Sequence, residues 1–356
     1  MPLRIRTRLR SCGVVALVTL LVMSAPACGF DRAAEAETSM VPLSEQVVGI
    51  STVATMQPGT DIGHEVDAIA SVGVNAIRVS AKWNLIEPDR GGPLRWGPVD
   101  AAVASAREHR LRMMVTLEGP APRWAQDPAA DPDANGNPPV DASDFGRFAE
   151  AVARRYDDAT TVWEIWNEPN IPHYLDPPTV TTYLPLLRQA FWGIRRAGSV
   201  APILTGGTSS NLAGTKDIDF VKQLYDSGAE AYFDGIALHP YTFPLPLSFS
   251  DGQGAIVDEV RQLMRLRSDD GKKIWITEFG QPTGRVTDSV SEDDQAHILS
   301  DAIRESRKVP WIGGFFIFNT VDLVVEPFDE HVTFGLFRRD YTPKPAVAEV
   351  RAALDQ

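Results

Sequence analysis

From residue 46 to the C-terminus the chain alternates two hydrophobic patterns. Short runs rich in Val, Ile and aromatic residues are apolar at nearly every position and read as strands buried on both faces. Longer runs with apolar residues three or four apart read as helices packed over them. Strands are expected at 47–53, 74–80, 112–117, 161–166, 202–205, 233–238, 274–277 and 314–318. Helices are expected at 62–72, 99–109, 141–156, 179–196, 220–227, 255–266, 294–307 and 345–354, the third with Phe145, Phe148, Ala149 and Val152 on one face. A Pro-, Asp- and Gly-rich loop fills 118–140. Eight strand-helix units over about 310 residues predict an α/β fold, a single closed (β/α)8 TIM barrel spanning 46–356. An open doubly wound sheet is the alternative, but no Gly-rich phosphate loop follows the first strand.

Polar residues collect where these strands end: Arg78 after the second, Asn167 and Glu168 after the fourth, His239 and Tyr241 after the sixth, Glu278 at the seventh. A barrel brings such ends together although they lie up to 200 positions apart in sequence. Two glutamates presented by two buried strands are what retaining glycoside hydrolysis requires, one as acid/base and one as nucleophile. Each residue also has a plain structural reading. Glu168 could cap the next helix, Glu278 could pair with Arg78, and His239 reads as a hydrogen-bonded structural histidine. The pairing and the chemistry are compatible, because an arginine beside the nucleophile keeps its carboxylate ionised. Tyr241 is expected to orient Glu278.

Among the loop aromatics, Trp83, Trp124 and Tyr174 are candidate platforms for stacking on sugar rings. No metal or other cofactor is expected: the six histidines are scattered, and neither HExxH nor GxSxG occurs.

The N-terminus departs from the barrel pattern. Arg4, Arg6, Arg8 and Arg10 precede an apolar run over 13–23 and then small residues up to Cys28. That is the form of a signal peptide over 1–27, its apolar core shorter than the roughly 17 residues that span a bilayer. Ala25-Pro26-Ala27-Cys28 resembles a bacterial lipobox, with Ala25 where leucine is usual. Cys12 lies inside the signal, so export leaves Cys28 alone, placed for lipid attachment. Residues 28–45 then read as a polar tether.

Loss of 1–27 removes four arginines and no acid, moving the net charge from −13 to −17. Such a surface disfavours nucleic acid and favours a neutral partner. The expectation is an exported monomer, secreted or lipid-anchored at the cell envelope, touching the membrane only through its N-terminus and acting on a polysaccharide or oligosaccharide.

With these residues in place, the chain resembles the clan A glycoside hydrolases, the retaining (β/α)8 group that includes the cellulase-like family 5 and the xylosidase-like family 39. The resemblance runs from about Val47 to the C-terminus. Trp166-Asn167-Glu168-Pro169 is similar to the clan's acid/base motif and Ile276-Thr277-Glu278-Phe279-Gly280 to its nucleophile strand. Gly73 through Val79, Trp83 through Pro88, His239-Pro240-Tyr241, Phe334-Gly335-Leu336 and Pro343-Lys344-Pro345 resemble other clan segments. The resemblance implies Glu168 as acid/base, Glu278 as nucleophile, Asn167 as ligand of the sugar 2-hydroxyl and Tyr241 as partner of the nucleophile. Many members end strand eight in a tryptophan that floors the site, where this chain has Phe318. Transglycosylation at the same site and glycan binding without cleavage are the rival readings.

Overall fold

The computed structural model describes residues 46–52, 61–157, 162–210, 214–284, 288–323 and 333–355. The expected signal, tether and Cys28 lie outside the described residues. By spatial contact the chain divides into Met1–Ser39 and Met40–Gln356, and the barrel lies in the second unit. Among the described residues no helix is long and apolar enough to cross a membrane.

Eight parallel strands close in chain order: β1 (Val47–Ser51), β2 (Ala76–Lys82), β3 (Arg112–Glu118), β4 (Val162–Asn167), β5 (Ile203–Ser209), β6 (Gly235–His239), β7 (Lys273–Phe279) and β8 (Ile312–Ile317). β1 pairs with β8 from Val47 against Gly314 to Ile50 against Ile317, so the ring has no free edge. The helices are α1 (Ile62–Val72), α2 (Trp83–Ile86), α3 (Gly97–Glu108), α4 (Ala142–Tyr156), α5 (Val180–Arg196), α6 (Asp217–Asp226), α7 (Ile256–Leu266), α8 (Glu292–Arg307) and α9 (Pro345–Leu354). The fold is the expected single (β/α)8 barrel.

Local chemistry sets the helix ends. Asp61, Asp141, Thr179 and Ser291 each accept a hydrogen bond from a first-turn backbone N–H, capping α1, α4, α5 and α8. Gly73 ends α1 at φ 91°, a left-handed conformation that glycine adopts without steric cost.

Side chains on each strand alternate between two cores. Ile50, Ile77, Met113, Trp163, Ile274 and Phe315 point outward to the helices. Val47, Ala76, Met114, Val162, Leu204, Ala237, Trp275 and Phe316, one from each strand, fill the barrel interior. The interior is therefore solid at this level, a packed layer that supports what lies above it.

Several boundaries differ from expectation by one to four residues. The strand expected at 202–205 runs on to Ser209 as β5, through Gly206 and Gly207. A Cβ on Gly207 would lie 2.2 Å from His239 Nε2, so this glycine is a close approach inside a strand. The strand expected at 74–80 is shifted two residues on, as β2. Trp83–Ile86 forms the short helix α2, not anticipated in the loop after β2.

Candidate active site

Two residues beyond the apolar interior layer, the same strands present polar groups inward. Arg78 on β2 is fully charged: burial alone would lower its pKa, but the charges of Glu164 and Glu278 outweigh it and push it far up. Its Nε donates to Glu164 Oε2 at 2.8 Å, Nη1 to Glu278 Oε1 at 2.7 Å and Nη2 to Asn167 Oδ1 at 2.9 Å. One guanidinium thus fixes three acceptors from β4 and β7. Thr116 on β3 donates to the same Glu164 oxygen at 2.7 Å, so Glu164 anchors the arginine from below.

The end of β4 is bent to serve the site. Trp166 and Glu168 have φ of 72° and 41°, unusual for residues with side chains. Such conformations cost about 1–3 kcal/mol each. They interrupt the alternation of the strand, so that Asn167 reaches Arg78 while the next residue, Glu168, reaches His239. Trp166 instead turns to Phe145 of α4, with ring centroids 5.3 Å apart. Gly119 leaves the space its ring occupies, since a Cβ there would sit 2.3 Å from it. Asn170 then holds the following turn, donating to the Ser209 and Thr215 carbonyls at 2.8 Å each.

Glu168 and Glu278 are held differently. Glu168 Oε1 lies 2.9 Å from His239 Nδ1. Glu278 Oε1 accepts from Arg78, and its Oε2 accepts from the Tyr241 hydroxyl at 2.8 Å and lies 3.6 Å from His239 Nδ1. Burial would raise the Glu278 pKa, but the charges of His239 and Arg78 and the hydrogen bonds from Tyr241 and Arg78 hold it below the usual carboxylate value. Burial likewise opposes charge on His239, and the charge of Glu278 and the hydrogen bond and charge of Glu168 reverse this, raising its pKa. His239 Nε2 and Thr277 Oγ1 share a hydrogen bond at 3.0 Å. Burial and the neighbouring Glu278 charge keep the Tyr241 hydroxyl protonated, and thus a donor.

One oxygen of Glu168, one of Glu278 and a ring nitrogen of His239 all lie within 4.8 Å of one another. Three such ligands could also face a divalent cation. Here Glu278 already meets the guanidinium of Arg78, which meets its negative charge without a metal.

The structure brings Arg78, Asn167, Glu168, His239, Tyr241 and Glu278 together. Phe318 joins them, its ring perpendicular to that of Tyr241 at 6.4 Å and packed against Phe334 at 5.6 Å. Tyr174 borders a cavity of about 80 Å³ beside Asn167. Trp83 is a correction: it is 0% exposed, stacked on Phe148 and packed against Phe145 under α4, so no sugar reaches it. Trp124 is half-buried: it packs edge-on against Trp83, meets the Arg90 guanidinium at 5.4 Å and donates from Nε1 to the Glu87 carbonyl. Glu164, Thr116, Thr277, Lys82, Glu118 and Phe334 were not anticipated. For Glu164 a signal existed: a charged residue within the apolar run of β4.

A buried guanidinium and imidazole around two carboxylates, at the carboxyl ends of barrel strands, define a (β/α)8 glycosidase-type site. The profile of the cellulase family, glycosyl hydrolase family 5, matches residues 34–313, and the chain belongs to that family, among the retaining O-glycosyl hydrolases. No curated protein matches its sequence. Among solved structures, a family 39 glycoside hydrolase from the gut symbiont Bacteroides cellulosilyticus WH2 is similar with TM-score 0.68 and 22% identity over 86% of this chain. The chain spans 63% of that protein's length. GH5_18 from Streptomyces cattleya, solved in complex with GlcNAc, aligns at TM-score 0.66 and 18% identity over 87% of this chain and 80% of its own. Xylanase 10B from Thermotoga maritima aligns at 0.63 and 16% over 87% and 95%. At these identities the structural likenesses speak for the fold.

Proposed function

We propose that this chain cleaves O-glycosidic bonds of a neutral polysaccharide or oligosaccharide by double displacement. The observation that carries the reading is the approach of the two glutamate oxygens, within 4.8 Å, with opposite supports. Inverting enzymes keep their carboxyl groups about 6.5–9.5 Å apart to admit a water, and retaining ones about 5–5.5 Å. Glu278, held ionised by Arg78, His239 and Tyr241, attacks the anomeric carbon as Glu168 gives its proton to the departing oxygen. The resulting glycosyl ester on Glu278 is opened by water, whose proton returns to Glu168. The signal-like N-terminus and Cys28 support export with lipid attachment at the cell envelope, which would bring extracellular glycans within reach.

The test is turnover of aryl β-glycosides, aryl α-L-arabinofuranosides and a polysaccharide panel, with Glu278→Ala in parallel. Turnover should fall at least about 10⁴-fold in the variant. Glu168→Gln should slow natural glycans far more than aryl glycosides whose leaving groups need no proton. Equal losses on both would remove Glu168 from the acid role.

A further inference from the structure

Glu164 is a buried carboxylate that the double displacement does not use. It sits inside β4 and is 0% exposed, so it touches no sugar. Its Oε2 accepts from both Arg78 and Thr116, while its Oε1 is buried with no hydrogen-bond partner among the described residues. A buried acceptor left unpaired is costly. Placing this second anion against an arginine already paired with Glu278 at 2.7 Å adds a further desolvation cost. The charges that move during the reaction supply a reason for it. In the first displacement an oxygen of Glu278 bonds to the anomeric carbon, the bond to the departing oxygen breaks with its electron pair, and the proton of Glu168 joins that oxygen. Glu278 changes from anion to neutral ester, and Glu168 from acid to anion. The charge that arrives on Glu168 meets His239 Nδ1 at 2.9 Å. The charge that leaves Glu278 would strand Arg78, which is only 5% exposed.

We propose that Glu164 is the resident counter-ion of Arg78, keeping its charge paired while Glu278 is bound to the sugar. The inference rests on the double-displacement reading. Glu118 adds charge from β3, but Glu164 is the carboxylate that stays bonded to the guanidinium, Nε to Oε2 at 2.8 Å. An uncompensated buried cation would disfavour both the glycosyl ester and the transition state that leads to it. Before the sugar arrives, the same carboxylate competes with Glu278 for Arg78, and so tempers how strongly the arginine favours the charged form of Glu278. Glu164 is thus a positioning and charge-balancing residue that acts through Arg78.

The experiment measures kcat/KM against pH for wild type, Glu164→Gln and Glu164→Met. The probes are 2,4-dinitrophenyl β-D-glucoside, β-D-mannoside, β-D-xyloside and α-L-arabinofuranoside, whose leaving group needs no proton from Glu168. Both substitutions keep the length of the side chain. Glutamine still accepts from Arg78 and Thr116, and methionine is held to the same outcomes if the glutamine variant does not fold. The charged and titratable groups around Arg78 and Glu278 are Glu118 on β3, Glu164 on β4, Glu168 and Tyr174 after β4, and His239 and Tyr241 at the end of β6; only Glu164 is altered. Glu164→Gln should lose about 10²- to 10³-fold in kcat/KM at its optimum, the size of one buried charge left uncompensated. Its acid limb should move to lower pH, because Glu278, already held below the usual carboxylate value, no longer shares Arg78. A merely structural role has the opposite sign: a displaced Arg78 would release Glu278 and move the limb to higher pH. In an active wild type, a limb at or above the wild-type position, or kcat/KM within about threefold of wild type, overturns this inference alone. A wild type silent on these probes and on the polysaccharide panel overturns the glycosidase reading and this inference with it.

Discussion

Two levels of the barrel interior, one step of the strand pleat apart, differ completely in chemistry. The lower level is Val47, Ala76, Met114, Val162, Leu204, Ala237, Trp275 and Phe316. The upper level, roughly 6.6 Å higher on the same strands, includes Arg78, Thr116, Glu164, His239 and Thr277, all buried. The lower level gains from the exclusion of water. The upper one suffers from it, and holds together only because each charge has partners: Arg78 with three acceptors, His239 with Glu168 and Thr277. Burial is used for stability at one level and for electrostatics at the other, where low dielectric strengthens every interaction with Glu278.

Three substitutions test that division. Arg78→Met strips the charge from three acceptors at once. It should lower stability by about 3–5 kcal/mol, read as the denaturant midpoint, and reduce turnover to background. An unchanged midpoint would mean that the upper level does not depend on its pairing. Met114→Ala opens a hole in the lower level and should cost about 2–5 kcal/mol, while kcat/KM measured well below the melting temperature stays at the wild-type value. A parallel fall in kcat/KM would show that the two levels are not independent.

Tyr241→Phe is the subtlest change. In the proposed double displacement Glu278 acts as its carboxylate, and its pKa is held below the usual value, so activity should persist as pH falls through 4.5 and fail only beneath it. Removing the tyrosine donor takes away one of the influences that lower that pKa. The acid limb of kcat/KM should therefore move to higher pH. A limb that stays in place would assign Tyr241 to packing.

The catalytic end of the barrel was legible because it obeys a positional rule: side chains at strand ends converge whatever their separation in sequence. That rule alone groups Arg78, Asn167, Glu168, His239, Tyr241 and Glu278 from the sequence. What lies inside the strands was harder to read. Glu164 sits in a run of tryptophan, valine and isoleucine, and only the pleat says that it faces Arg78. Glu118 looked like the first residue of a long loop, although it ends β3 in register with Lys82. Trp83 was misplaced for a different reason. A tryptophan just past a strand end resembles a sugar platform, and nothing local reveals that α2 turns it beneath Phe145 and Phe148. β5 runs past its expected end at Thr205, and Gly207 within it leaves the space His239 needs.

The parallel closure of the barrel has a practical corollary. All eight strands run the same way, so the chain joins the barrel at Val47 on the face opposite the glutamates, roughly 20 Å from them at ~3.3 Å per residue. A bead or electrode coupled directly at residue 46 would adjoin that blind face. The opposite end, which carries Glu168 and Glu278, would stay open to polymers too large to slip beneath the barrel.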